Sequence, residues 1–89
     1  PPARLANVFL KLRRFAEAEK ANTAALGLVY GPRTLRVYTQ RADIFHAAGR
    51  LDDERGAIDQ ALIWAKERWL PEGGRKTHAA LVARRAALR

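Results

Sequence analysis

An all-α fold of about five helices follows from three observations on these 89 residues. Ala, Leu and Arg, all strong helix formers, dominate the chain. β-branched residues are sparse and never alternate with polar ones over a useful length, so no half-buried strand is written anywhere. Apolar residues instead recur at steps of three and four, as in Leu35, Tyr38, Ala42, Phe45 and Ala48.

The first helix opens at Pro2, where a missing N–H costs nothing, and carries Leu5, Ala6, Val8, Phe9 and Leu12 up to Arg13-Arg14. Those two cations suit a helix C-terminus. A second helix is expected from about Ala16 to Val29, with Ala18, Ala21, Ala25, Leu28 and Val29 on one stripe and Glu17 and Glu19 in its first turn. Gly31-Pro32 stops it. The third starts near Thr34 and ends before Gly49, a good residue for the left-handed position after a helix. Asp52 or Asp53 is the expected cap of the fourth, which runs through Ala57, Ile58, Ala61, Leu62 and Ala65 to Trp69. Leu70-Pro71-Glu72-Gly73-Gly74 reads as a break, and Thr77 as the cap of a last helix with a narrow apolar stripe, Leu81, Val82 and Leu88.

Sliding the chain against itself by about 36 residues superposes Leu5-Ala6-Asn7-Val8-Phe9 on Arg41-Ala42-Asp43-Ile44-Phe45. The same shift brings Arg14-Phe15-Ala16-Glu17 onto Arg50-Leu51-Asp52-Asp53, and Ala25-Leu26 onto Ala61-Leu62. One helical hairpin is therefore written twice. Its second copy reads Tyr38-x2-Arg41-Ala42-x2-Phe45, Gly49-Arg50-Leu51-Asp52-Asp53 and Ile58-x2-Ala61-Leu62; its first reads Leu5-Ala6-x2-Phe9, Phe15-x2-Ala18 and Ala25-Leu26. Alanines at the helix crossing let two backbones approach closely, and Phe9 and Phe45 fill the space beside them.

This pattern resembles the tetratricopeptide repeat, in its variety with repeats longer than 34 residues. The resemblance implies antiparallel helical hairpins stacked as a right-handed α-solenoid: residues 2–30 as repeat one, 33–69 as repeat two and 75–89 as a terminal helix. All lie in one domain, residues 1–89, read as a segment of a longer protein. Two positions depart from the pattern, Arg41 for the usual Leu and Glu54 for the usual Ala. Their opposite charges, facing each other across one hairpin, predict a compensating Arg41–Glu54 pair.

The resemblance implies a concave groove on the first helices that takes a peptide or helix of a protein partner. Asn7, Lys11, Arg36, Gln40, Asp43 and His46 are its candidate lining, with Leu10, Thr39 and Ala47 beside them. Asn7 stands where members with a carboxylate clamp keep an Asn, Gln40 stands where they keep a second one, and Ala3 replaces the clamp's Lys. Fewer than three repeats also predicts neighbouring repeats or pairing of chains through end faces.

Seventeen Lys and Arg against nine Asp and Glu give a net charge of +8, so a basic module that binds nucleic acid is the first alternative. Its candidate patch is Arg75, Lys76, Arg84 and Arg85. A regulatory appendage of an enzyme is another. The chain itself reads as non-enzymatic and without cofactors: it has no Cys and no Ser, which excludes disulfides, zinc knuckles and thiol chemistry and leaves four threonines as hydroxyl nucleophiles. Asp43 and His46 lie one turn apart but lack the third donor that a metal site needs. Trp69 is the candidate interface aromatic, although packing against the last helix is the expectation favoured for it. No apolar run is long enough for a membrane span, and a soluble protein of the cytoplasm is the default.

Overall fold

A computed structural model describes residues 1–88, in the order α1 (Pro2–Lys11), α2 (Phe15–Leu28), α3 (Arg33–Ala47), α4 (Leu51–Ala65) and α5 (Glu72–Leu88). Among the described residues every regular element is helical. α1 and α2 form one antiparallel hairpin and α3 and α4 the next. α3 then packs on α2 and along the edge of α1, and α5 repeats that step on α4 and α3. The result is a stack of helical hairpins that ends on a single helix.

Both hairpins close with the same turn. The Arg14 N–H donates to the Phe9 carbonyl at 2.8 Å and the Arg13 N–H to the Leu10 carbonyl at 3.0 Å. In the second copy Arg50 and Gly49 make the matching bonds to Phe45 and His46 at the same distances. The residue in the left-handed position is Arg13 (φ 59°) in one and Gly49 (φ 75°) in the other. Only the glycine adopts that angle without a Cβ penalty.

Alanine sets the closeness of the crossings. Ala6 and Ala18 are fully buried in the first hairpin, as are Ala42 and Ala61 in the second. Ile44, projecting from α3, packs with Ala6, Ala18 and Ala21 and so joins the two hairpins. The larger core holds Leu35, Ala42, Phe45, Ala57, Ile58, Ala61 and Ala65, closed from the other side by Leu70 and Leu81.

Several expected boundaries are corrected. α4 stops at Ala65 instead of Trp69, because the chain turns through Glu67 in the left-handed region to bury Leu70 in the core. Trp69 is left 81% exposed in that connection, so it does not pack on the last helix. α5 begins at Glu72 rather than near residue 75, and Gly73-Gly74 form its first turn, with the Arg75 N–H bonded to the Pro71 carbonyl. A Cβ on Gly74 would lie 3.3 Å from that of Leu70, so the glycine lets Leu70 fold back under the helix. Thr77 is then no cap: it sits in the second turn and its hydroxyl donates to the Gly73 carbonyl. Asp52 and Asp53 lie inside the first turn of α4, paired with Arg55 and Arg50, and make no cap hydrogen bond. They still favour the helix start through its dipole.

Candidate recognition groove

Because α1, α3 and α5 each open a hairpin or half of one, the stack sets them side by side. Between them lies a polar slot of about 380 Å³ lined by Ala3, Asn7, Arg36, Val37, Thr39, Gln40, Asp43 and Thr77. Five residues expected on the groove from sequence, Asn7, Arg36, Thr39, Gln40 and Asp43, thus come together. A second hollow continues past Arg36 and Thr77 to Pro32, Arg33, Pro71 and Gly73.

The floor of the slot is locked by one amide. Gln40 donates from Nε2 to the Ala3 carbonyl (2.8 Å) and to Asn7 Oδ1 (2.9 Å), and its Oε1 accepts from Asn22 Nδ2 (3.0 Å). Asn22 is fully buried; it also donates to the Val37 carbonyl and accepts from Arg41. Three helices are therefore tied by a polar knot in which the amide groups of Gln40 and Asn22 are both engaged at oxygen and nitrogen.

One end of the groove is closed by charge. Glu54, 1% exposed, accepts two hydrogen bonds from Arg84 (3.0 and 2.8 Å), and His46 Nδ1 lies 2.9 Å from its other oxygen. Beside an ionised carboxylate, which only accepts, that Nδ1 carries the proton. Arg84 also donates to Asp43 at 2.6 Å. Burial pushes Glu54 toward its neutral form, but the hydrogen bonds from His46 and Arg84 outweigh it and hold the carboxyl below its ordinary range. Burial likewise disfavours the charge on Arg84, while Asp43 and Glu54 more than restore it and raise its pKa.

The expected Arg41–Glu54 pair does not form. Arg41 points to α2, where it donates to Asn22 and Thr23, approaches Glu19 at 4.0 Å and lies over the Phe45 ring. Glu54 faces α5 instead, so the two departures are compensated by different helices. Lys11 and His46 stand outside the slot, both exposed, at the C-terminal ends of α1 and α3. Asp43 is committed to an ion pair with Arg84 and His46 to a hydrogen bond with Glu54, and among the described residues no group of three or more acidic or histidine side chains is arranged to hold a metal.

The basic set divides along α5. Arg75 and Lys76 are exposed at its start, whereas Arg84 and Arg85 lie about 13 Å further along the axis, with Arg85 bonded to Asp59. The sequence pointed neither to Asn22 nor to the 2.9 Å pair that Glu19, read there only as favouring a helix start, makes with Arg50 across the two hairpins. The signal for Asn22 was its place on the alanine stripe of α2, where an uncharged polar residue needs a partner.

No family model, curated protein or solved structure matches this chain. Among the described residues no helix is long and apolar enough to cross a membrane.

Proposed function

We propose that this chain is a non-catalytic, protein-recognition module of the tetratricopeptide kind, taking a peptide or short helix of a partner protein in the groove along α1, α3 and α5. One observation carries the reading: Asn7, Arg36, Gln40 and Asp43, from two successive hairpins, line a single slot. Its floor is preformed by the Gln40 hydrogen bonds, so a ligand docks with little ordering on the receptor side. Among the described residues Arg36 and Arg33 make no ion pair, which leaves a carboxylate of the partner as their complement. The nucleic-acid reading has less support, because Arg84 and Arg85 are neutralised by Glu54, Asp43 and Asp59.

Peptides selected against the immobilised chain from a displayed library test the reading. They are expected to shift the backbone amides of Asn7, Arg36 and Gln40, and Arg36→Glu is expected to weaken them about tenfold or more. Selected peptides that bind Arg36→Glu as tightly as the parent would overturn it.

A further inference from the structure

Because each hairpin is antiparallel, the loop that follows α2 and the loop that follows α4 lie at one end of the stack, opposite the turns at Arg13 and Gly49. The two loops share a continuous surface. A shallow hollow of about 370 Å³ runs from Leu28 and Tyr30 to Pro32 and Arg33, and the hollow beside it passes from Pro32 and Arg33 to Pro71 and Gly73. Charge is spread unevenly between the two ends. Among the described residues the ion pairs gather toward the turns, where Arg14, Arg50, Arg84 and Arg85 are all engaged. Residues 28–36 and 65–76, at the loop end, hold Arg33, Arg36, Lys66, Arg68, Arg75 and Lys76 against Glu67 and Glu72. Their one ion pair among the described residues, Lys76–Glu72, is exposed and 3.7 Å long.

Apolar side chains project from the same two loops. Tyr30 is 87% exposed and Leu28 69%, alongside Trp69. The segment that carries Trp69 is fixed on both sides: Leu70 is buried in the core, and Arg68 lies over the Trp64 ring at 4.6 Å and donates to the Trp64 carbonyl at 2.6 Å. An occupant of this end therefore meets rings and an aliphatic side chain together with cations. A nucleic acid answers the cations and stacks on the rings, but gives Leu28 nothing to enter. The interface of an anionic bilayer answers all three, since Trp and Tyr settle at headgroup level, Leu enters the acyl boundary and Lys and Arg attract the lipid charge. Further repeats of an array stack along its sides and not on this end.

We propose that the loop end is a peripheral docking surface for an anionic lipid bilayer. Trp69, Tyr30 and Leu28 enter the headgroup layer, and Lys66, Arg68 and Arg75 face the lipid phosphates and carboxylates. Contact is made by loops on a rigid stack, so no helix has to unfold or cross the bilayer. The surface rests on neither the groove nor its ligand.

The test titrates the full 89-residue chain with vesicles of phosphatidylcholine, with or without phosphatidylserine, and follows cosedimentation and indole fluorescence. Binding to the phosphatidylserine vesicles with a blue shift is expected, and binding about tenfold weaker or less to phosphatidylcholine alone. Trp69→Ala should remove the blue shift and weaken binding about tenfold, with the helices checked by circular dichroism. Lys66→Glu combined with Arg68→Glu should weaken binding by about tenfold as well. Lys11→Glu combined with Arg13→Glu makes the same charge change at the turn end and should alter binding by less than about twofold, because salt screens charges that far from the lipid. Three results would each overturn the proposal: no binding at millimolar phosphatidylserine, equal losses in the two charge-reversed pairs, or tighter binding to a single-stranded oligonucleotide that Trp69→Ala abolishes.

Discussion

The hairpins α1–α2 and α3–α4 share one turn, one arginine over one phenylalanine and one pair of crossing alanines, but the second is covered on its leading face and the first is open. The joints differ as well. α3 meets the first hairpin through Ile44 in an alanine pocket and through the amides of Gln40 and the buried Asn22, whereas α5 meets the second with Arg84 on a buried carboxylate as well as Leu81. A repeated sequence thus fixes the shape of the unit, while the residues that differ between copies decide how each joint is held.

The largest test of that contrast is Glu54. Replacing it by Ala leaves Arg84 with Asp43 alone, and a loss of about 3 kcal/mol is expected in urea unfolding. A charge-free pair, Glu54→Leu with Arg84→Leu, should recover most of that loss; no recovery would mean that the carboxylate acts through something other than this pair. The same group makes the second joint acid-sensitive. Its pKa is lower in the folded chain than in the unfolded one, so its stabilisation is complete above the ordinary Glu range and disappears as pH falls through the depressed folded value. Glu54→Gln should therefore flatten the acid limb of a stability–pH profile.

The apolar joint is broken by Ile44→Ala, expected to cost about 2–3 kcal/mol because the pocket of Ala6, Ala18 and Ala21 has little to collapse with. Its counterpart Val8→Ala should change stability by less than about 0.5 kcal/mol in the free chain. Equal effects at the two positions would remove the distinction between covered and open hairpins. At the turns, Arg13→Gly should stabilise by about 0.5–1 kcal/mol by relieving a left-handed Cβ, less whatever its guanidinium gains over Phe15. Gly49→Ala should do the reverse by about 1 kcal/mol, and thermal melts of the two variants sharpen the comparison.

The five helices and the twofold hairpin were legible because helix periodicity and the 36-residue shift are local properties of the chain. The slot residues Asn7, Arg36, Gln40 and Asp43 were legible for the same reason, since residues on one helix face stay together once the helices are stacked. Boundaries failed where a distant contact decided them. α4 yields at Ala65, about one turn short of Trp69, where the chain turns to bury Leu70, and Gly74 joins a helix where its missing Cβ leaves room for Leu70. The partner of Glu54 was misread because pairing within one hairpin is all that a repeat pattern describes. Arg84 arrives from a helix that the pattern scarcely covers.

The attachment of α5 is partly polar and partly apolar. Part of it consists of ion pairs that water and salt reach: Arg84–Asp43 and Arg85–Asp59 are both partly exposed. Raising ionic strength screens them, and at the other joint it screens the partly exposed Arg50–Glu19 pair while leaving the Ile44 contact untouched. With those pairs screened, Leu70, Leu81 and the contact of Arg84 with buried Glu54 are what hold α5 to the second hairpin. Salt thus shifts the attachment of the last helix from a mixed polar and apolar one toward an apolar one.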